Sequence, residues 1–124
     1  MVVRHKGKGR RSTQAKFEEA KARGIEGAEW LDTYGVAILL SGTPCGVRNE
    51  IRLGWLPPAK KNTKPHKWRR SDLLAREELD QLGLFGDWLE LRQEHGEHVA
   101  WAVMLKRLAS KQAELEALAK AVRS

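Results

Sequence analysis

Residues 56–70 read Leu-Pro-Pro-Ala-Lys-Lys-Asn-Thr-Lys-Pro-His-Lys-Trp-Arg-Arg, and no other stretch restricts the fold of this 124-residue chain so strongly. Three of the four prolines fall here, together with six cations and no acid. Proline lacks the N–H that a helix interior or a central strand must donate, and a run of like charges resists burial. The stretch is therefore expected as a basic, proline-containing loop. Lys60, Lys61, Lys64, Lys67, Arg69 and Arg70 are its candidate phosphate contacts. Trp68, set between Lys67 and Arg69, is expected to stack on an unpaired base.

A second acid-free run, with Arg4, Lys6, Lys8, Arg10 and Arg11, opens the chain. With two glycines and few apolar residues, positions 1–11 cannot offset the entropy of ordering, so they are expected as a flexible basic arm. The two runs hold eleven of the 23 lysines and arginines. Since the whole chain carries +7, everything outside them is net negative by four charges. Cations gathered on two segments of an acidic body suit polyanion binding better than a uniformly basic surface does.

Other features narrow the class. The length fits one compact domain, taken here as 12–124. The single Cys45 precludes an internal disulfide and fits a reducing compartment. The longest apolar runs, 36–40 and 99–105, fall far short of the roughly 20 residues a membrane helix needs, and no apolar segment follows the N-terminal cations as in a secretory signal. A cytoplasmic location without membrane contact is expected.

Along the chain, Ser12 or Thr13 can cap a helix running to Arg23, with Gly24 as its stop. Ile25, Ala28 and Leu31 recur every third residue and suggest a short helix ended by Gly35. Val36 to Leu40 is a five-residue apolar run that reads as a buried strand, and 41–46 has turn chemistry. Val47, Ile51, Leu53 and Trp55 alternate with Arg48, Glu50 and Arg52, which predicts the second strand of a β-hairpin. After the loop, Ser71 or Asp72 can cap a helix to Leu82, a second helix spans 87–95, and a third runs from Glu97 to Val122. That last helix carries an apolar seam through Trp101, Leu105, Leu108, Leu115, Ala119 and Val122. Its length suits pairing with a second copy. Trp30, Trp55, Trp88 and Trp101 are expected core anchors. The predicted class is α+β, helix-dominated, with one β-hairpin and a long C-terminal helix.

No reaction is spelled out. Helices 71–82 and 87–95 have the spacing of a helix-turn-helix, but residues 71–94 hold seven acids against two arginines, which phosphate repels. That acidic face is better suited to a protein partner. His95 and His98 straddle Gly96 and do not share a helical face, so no metal is expected. Asp32, Glu50 and Arg52 are too slight a pattern for a metal nuclease, and Cys45 has no histidine near it in sequence to serve as base. No glycine loop cradles phosphate, so no cofactor is expected. The leading expectation is a small non-enzymatic accessory or regulatory nucleic-acid-binding protein, of the size carried by phages and plasmids, gripping DNA or RNA backbone with two basic arms. The alternative is a protein-binding inhibitor or adaptor that docks on a nucleic-acid-processing machine.

Overall fold

A computed structural model of the chain describes residues 12–123. Helix α1 (Thr13–Arg23) starts where Ser12 Oγ accepts the Ala15 N–H at 3.0 Å. It ends at Gly24, whose φ of 80° ordinary residues avoid. Strand β1 (Trp30–Leu31) follows, then α2 (Thr33–Leu39) and α3 (Pro44–Leu53). The proline-containing loop leads into β2 (Trp68–Arg69), which runs straight into α4 (Arg70–Gln81). Two more helices, α5 (Trp88–His95) and α6 (Glu97–Arg123), complete the order. The class is as expected: a small helix-dominated α+β fold with one two-stranded antiparallel sheet and a long C-terminal helix.

The sheet is not built from the expected residues. Positions 36–55 form two helices instead of a hairpin, and the strand pair joins β1 to β2 across the chain, Trp30 opposite Arg69 and Leu31 opposite Trp68. Helix caps explain the outcome. The Asp32 carboxylate accepts the Gly35 N–H at 3.0 Å and starts α2, while Thr43 Oγ1 accepts the Gly46 N–H at 3.1 Å with Pro44 at the first helical position of α3. The short helix expected over 25–34 is likewise replaced by a turn through Gly27, by β1, and by the first turn of α2. Asp32 is thereby a helix cap. The remaining helices fall within a residue or two of expectation, although α4 starts at Arg70 with no side-chain cap, ahead of Ser71 and Asp72.

Two apolar clusters hold the fold. In the first, Phe17 of α1, Val36 and Ala37 of α2, Val47 of α3 and Leu73 of α4 close around Leu31, Leu56 and Trp68 of the strand region. The second gathers Leu79 of α4, Phe85, Trp88 of α5, and Ala100, Trp101, Met104 and Leu108 of α6. Helix α4 contributes to both. Trp88 Nε1 also donates to the Gly54 carbonyl at 2.8 Å, so the end of α3 is tied to α5. Of the expected anchors, Trp88 and Trp101 are buried, whereas Trp30 and Trp55 are half-buried.

Candidate nucleic-acid interface

Helix α2, the four residues 40–43 with Gly42, and α3 have the order and turn length of a helix-turn-helix, and the two helices pack against each other. Ser41 adopts φ 56°, and the Gly42 N–H returns to the Ala37 carbonyl at 2.8 Å, so the chain reverses tightly between the helices. Pro44 and Val47 are buried, which turns the other side of α3 outward. Arg48, Asn49 and Arg52 lie on that exposed side. Arg52 Nη2 donates to Asn49 Oδ1 at 2.6 Å, and Arg48 Nη2 donates to the Tyr34 hydroxyl at 3.3 Å, so α2 and α3 brace these guanidiniums. The helix's single acid points elsewhere: Glu50 meets Arg76 of α4 at 2.6 Å. Arg76 is 13% exposed and also donates to the Trp55 carbonyl, so this ion pair belongs to the packing between α3 and α4. The open side of α3 carries Arg48, Asn49 and Arg52 together with the exposed Cys45 and Leu53, and no acid.

The basic loop starts directly after α3. Its neck is pinned where the Lys60 N–H donates to the Lys67 carbonyl at 2.7 Å, and within it Thr63 Oγ1 donates to the Lys60 carbonyl at 3.2 Å. Lys60, Lys61, Lys64 and Lys67 are all exposed. Among the described residues no carboxylate pairs with any of them. Acids of the α4–α5 region meet other partners: Glu77 pairs with Arg76, Glu78 accepts from Gln112, and Asp87 is held by Arg107, where two bonds of 2.6 and 2.8 Å hold its carboxyl below its ordinary value. The loop's charges are therefore open to solvent.

Two aromatic and arginine assignments change. Trp68 is 4% exposed and packs in the first core cluster, because its place in β2 opposite Leu31 points it inward; it has no free ring face for a base. The aromatic ring beside the loop is Trp30, with Lys60 Nζ and the Arg69 guanidinium each 4.9 Å from its centre. Arg70 is half-buried, and its guanidinium donates to the carbonyls of Ala28 and Ile25, which fixes the turn before β1; it is a structural residue. Arg69 remains exposed, 3.6 Å from Glu29. Arg4, Lys6, Lys8, Arg10 and Arg11 lie outside the described residues. Arg48, Asn49 and Arg52 escape the sequence reading because a strand face was assigned there. The Thr43-Pro44 cap signal marks them as helical.

Among the described residues no group of three or more His, Cys, Asp or Glu side chains is placed to hold a metal ion, and no helix is long and apolar enough to cross a membrane. No family model, curated protein or solved structure matches this chain.

Proposed function

We propose that this is a non-enzymatic DNA-binding regulatory protein in which α3 enters the major groove and the 60–67 loop lies along the phosphate backbone. The observation that carries the reading is the open face of α3, with Arg48, Asn49 and Arg52 outward and Glu50 turned onto Arg76, next to a loop of four unpaired lysines. A helix with its side chains is about 10–12 Å across, which matches the roughly 12 Å major groove of B-form DNA. The A-form groove of duplex RNA is too narrow for it. Arginine and asparagine carry the donor and acceptor patterns that read guanine and adenine edges, whereas lysine contacts to phosphate position without specifying.

The test is binding of selected and random duplexes across a salt series. Replacing Lys60, Lys61, Lys64 and Lys67 by alanine is expected to weaken all duplexes alike and to lower the salt slope by up to about four, near one per lysine. Replacing Arg48 or Asn49 by alanine is expected to cost about 1–3 kcal/mol on the selected duplex and little on random ones. Equal losses on both would overturn the assignment of α3 as the reading helix.

A second contact surface lies on α6. Beyond Leu108 the helix buries none of its described residues, and Leu115, Leu118 and Val122 are exposed. They continue the face that Trp101, Met104 and Leu108 bury further up, with the three- and four-residue spacing of a coiled-coil seam. That regularity suits a second copy of the same helix, and paired protomers would present two α3 helices to one duplex. Absence of any DNA or RNA shift at about 150 mM salt, with a stable protein partner captured instead, would favour the adaptor.

A further inference from the structure

Beneath the loop lies a cleft of about 310 Å³, between residues 60–66 on one side and the junction of α5 with α6 on the other. Its volume is at the lower end of small-ligand pockets, which run from about 300 to 1,000 Å³. Lys60, Lys61, His66, Arg92, Glu97 and His98 line it, so three permanent cations face one carboxylate. Glu97 sits in the first turn of α6, where the helix dipole favours an acid, and its carboxylate is 3.9 Å from His98 Nε2. Arg92 is the distinctive group. It is half-buried, no carboxylate among the described residues pairs with it, and its Nε is buried without an acceptor. The enclosed Nε is closed to a ligand as it is to water, so what Arg92 offers the cleft is the unneutralised charge carried on its terminal nitrogens. Asn62 and Thr63 add polar groups on the loop side, and Ile51, Leu56, Pro57, Ala59 and Trp68 give the cleft an apolar wall.

We infer that this cleft binds a single nucleotide, its phosphate held by Arg92, Lys60 and Lys61 at the α6 N-terminus and its ring system against Leu56 and His66. Unpaired cations over an apolar wall call for a ligand that is anionic at one end and flat and apolar at the other. The volume limits that ligand to one ring system with its phosphate. The site shares Lys60 and Lys61 with the DNA surface proposed above, whereas Arg48, Arg52, Lys64 and Lys67 do not line it.

The same chemistry is offered by a free mononucleotide and by the phosphorylated end of a strand, and the experiment separates them. Calorimetric titration of the full chain with adenosine 5′-monophosphate at low salt is expected to show saturable one-to-one binding with a Kd at or below about 1 mM. Inorganic phosphate is expected to bind about tenfold more weakly, since it leaves the apolar wall unused. Arg92→Gln is expected to weaken nucleotide binding about tenfold or more, with Arg92→Lys retaining part of the affinity. His66→Ala, at an exposed position that contacts the ring of the ligand, is expected to weaken it severalfold and decides the matter if Arg92→Gln fails to fold. The double change Lys64→Ala with Lys67→Ala is expected to leave nucleotide binding as it is while weakening duplex binding. Displacement of the nucleotide by a 5′-phosphorylated oligonucleotide, but not by its unphosphorylated form, makes the strand end the ligand; no displacement by either makes it the free nucleotide. Absence of saturable nucleotide binding, or wild-type affinity in both Arg92→Gln and His66→Ala, overturns the site and leaves the DNA-binding reading standing.

Discussion

Trp88 and Trp101 meet edge to face with ring centres 5.8 Å apart in the second core cluster, and their indole N–H groups fare differently. Trp88 is fully buried and donates to the Gly54 carbonyl, whereas Trp101 Nε1 is buried with no partner. A lost donor leaves a buried carbonyl without its bond, while removal of an orphaned donor relieves a desolvation cost. Trp88→Phe is therefore expected to cost about 2–4 kcal/mol in urea unfolding, and Trp101→Phe less than about 1.5 kcal/mol, because the smaller ring's cavity is partly offset. Equal losses would show that the Trp101 N–H is satisfied in solution. Gly54 matters for another reason: at φ 81° it closes α3, and a Cβ there would lie 2.6 Å from Arg92 Nη1. One residue thus joins the reading helix, the Trp88 bond and the cleft arginine.

Among elements, the contact of α6 with the start of α5 rests on an ion pair whose strength depends on pH. Asp87 precedes α5 but caps nothing with its side chain, since its carboxylate is taken by both terminal nitrogens of Arg107. That hydrogen-bonded pairing lowers the Asp87 pKa, so its contribution to stability is complete above the ordinary aspartate value and fades as pH falls through the lower folded-state value. Both side chains are more than a third exposed, and solvent screening keeps the contribution to about 1 kcal/mol. The difference in unfolding free energy between wild type and Asp87→Asn is expected to be present at pH 7 and to fade as pH falls below the ordinary aspartate value of 3.8 and through the lower folded-state value. A difference that persists at low pH would assign the effect to packing.

At the scale of the whole molecule, the lysines without a carboxylate partner sit on the loop beside α3, and the far half of α6 exposes Leu115, Leu118 and Val122 in a continuous seam, while other exposed leucines such as Leu53 and Leu74 are scattered singly. At about 1.5 Å per residue, the 27 residues of α6 span roughly 40 Å. Replacing Leu115, Leu118 and Val122 by lysine removes no core contact, so the melting temperature of a monomer would stay within a few degrees. If α6 pairs two copies, the same variant sediments as a monomer where the wild type is a dimer, and its apparent stability becomes independent of protein concentration. Wild type sedimenting as a monomer would end the pairing proposal.

The sequence by itself determined the features that depend on near neighbours: the helix from Thr13 to Arg23, the bounds of α4 to α6 to within two residues, and a solvated loop wherever prolines and lysines cluster. It also determined the helix-dominated class. It left 36–55 ambiguous, because Val47, Ile51 and Trp55 are four apart, a spacing that suits both a strand's period of two and a helix's near-four repeat. The caps at Asp32 and Thr43 were legible, but they compete with a local apolar run that packs equally well in either form. Only the tertiary structure decided that Trp68 faces the core, that Arg70 holds two distant carbonyls, and that Arg92 meets the loop across a cleft. Each of these rests on groups more than twenty residues apart in sequence, and the pairing of distant surfaces follows from how the whole chain buries its apolar area rather than from any local pattern.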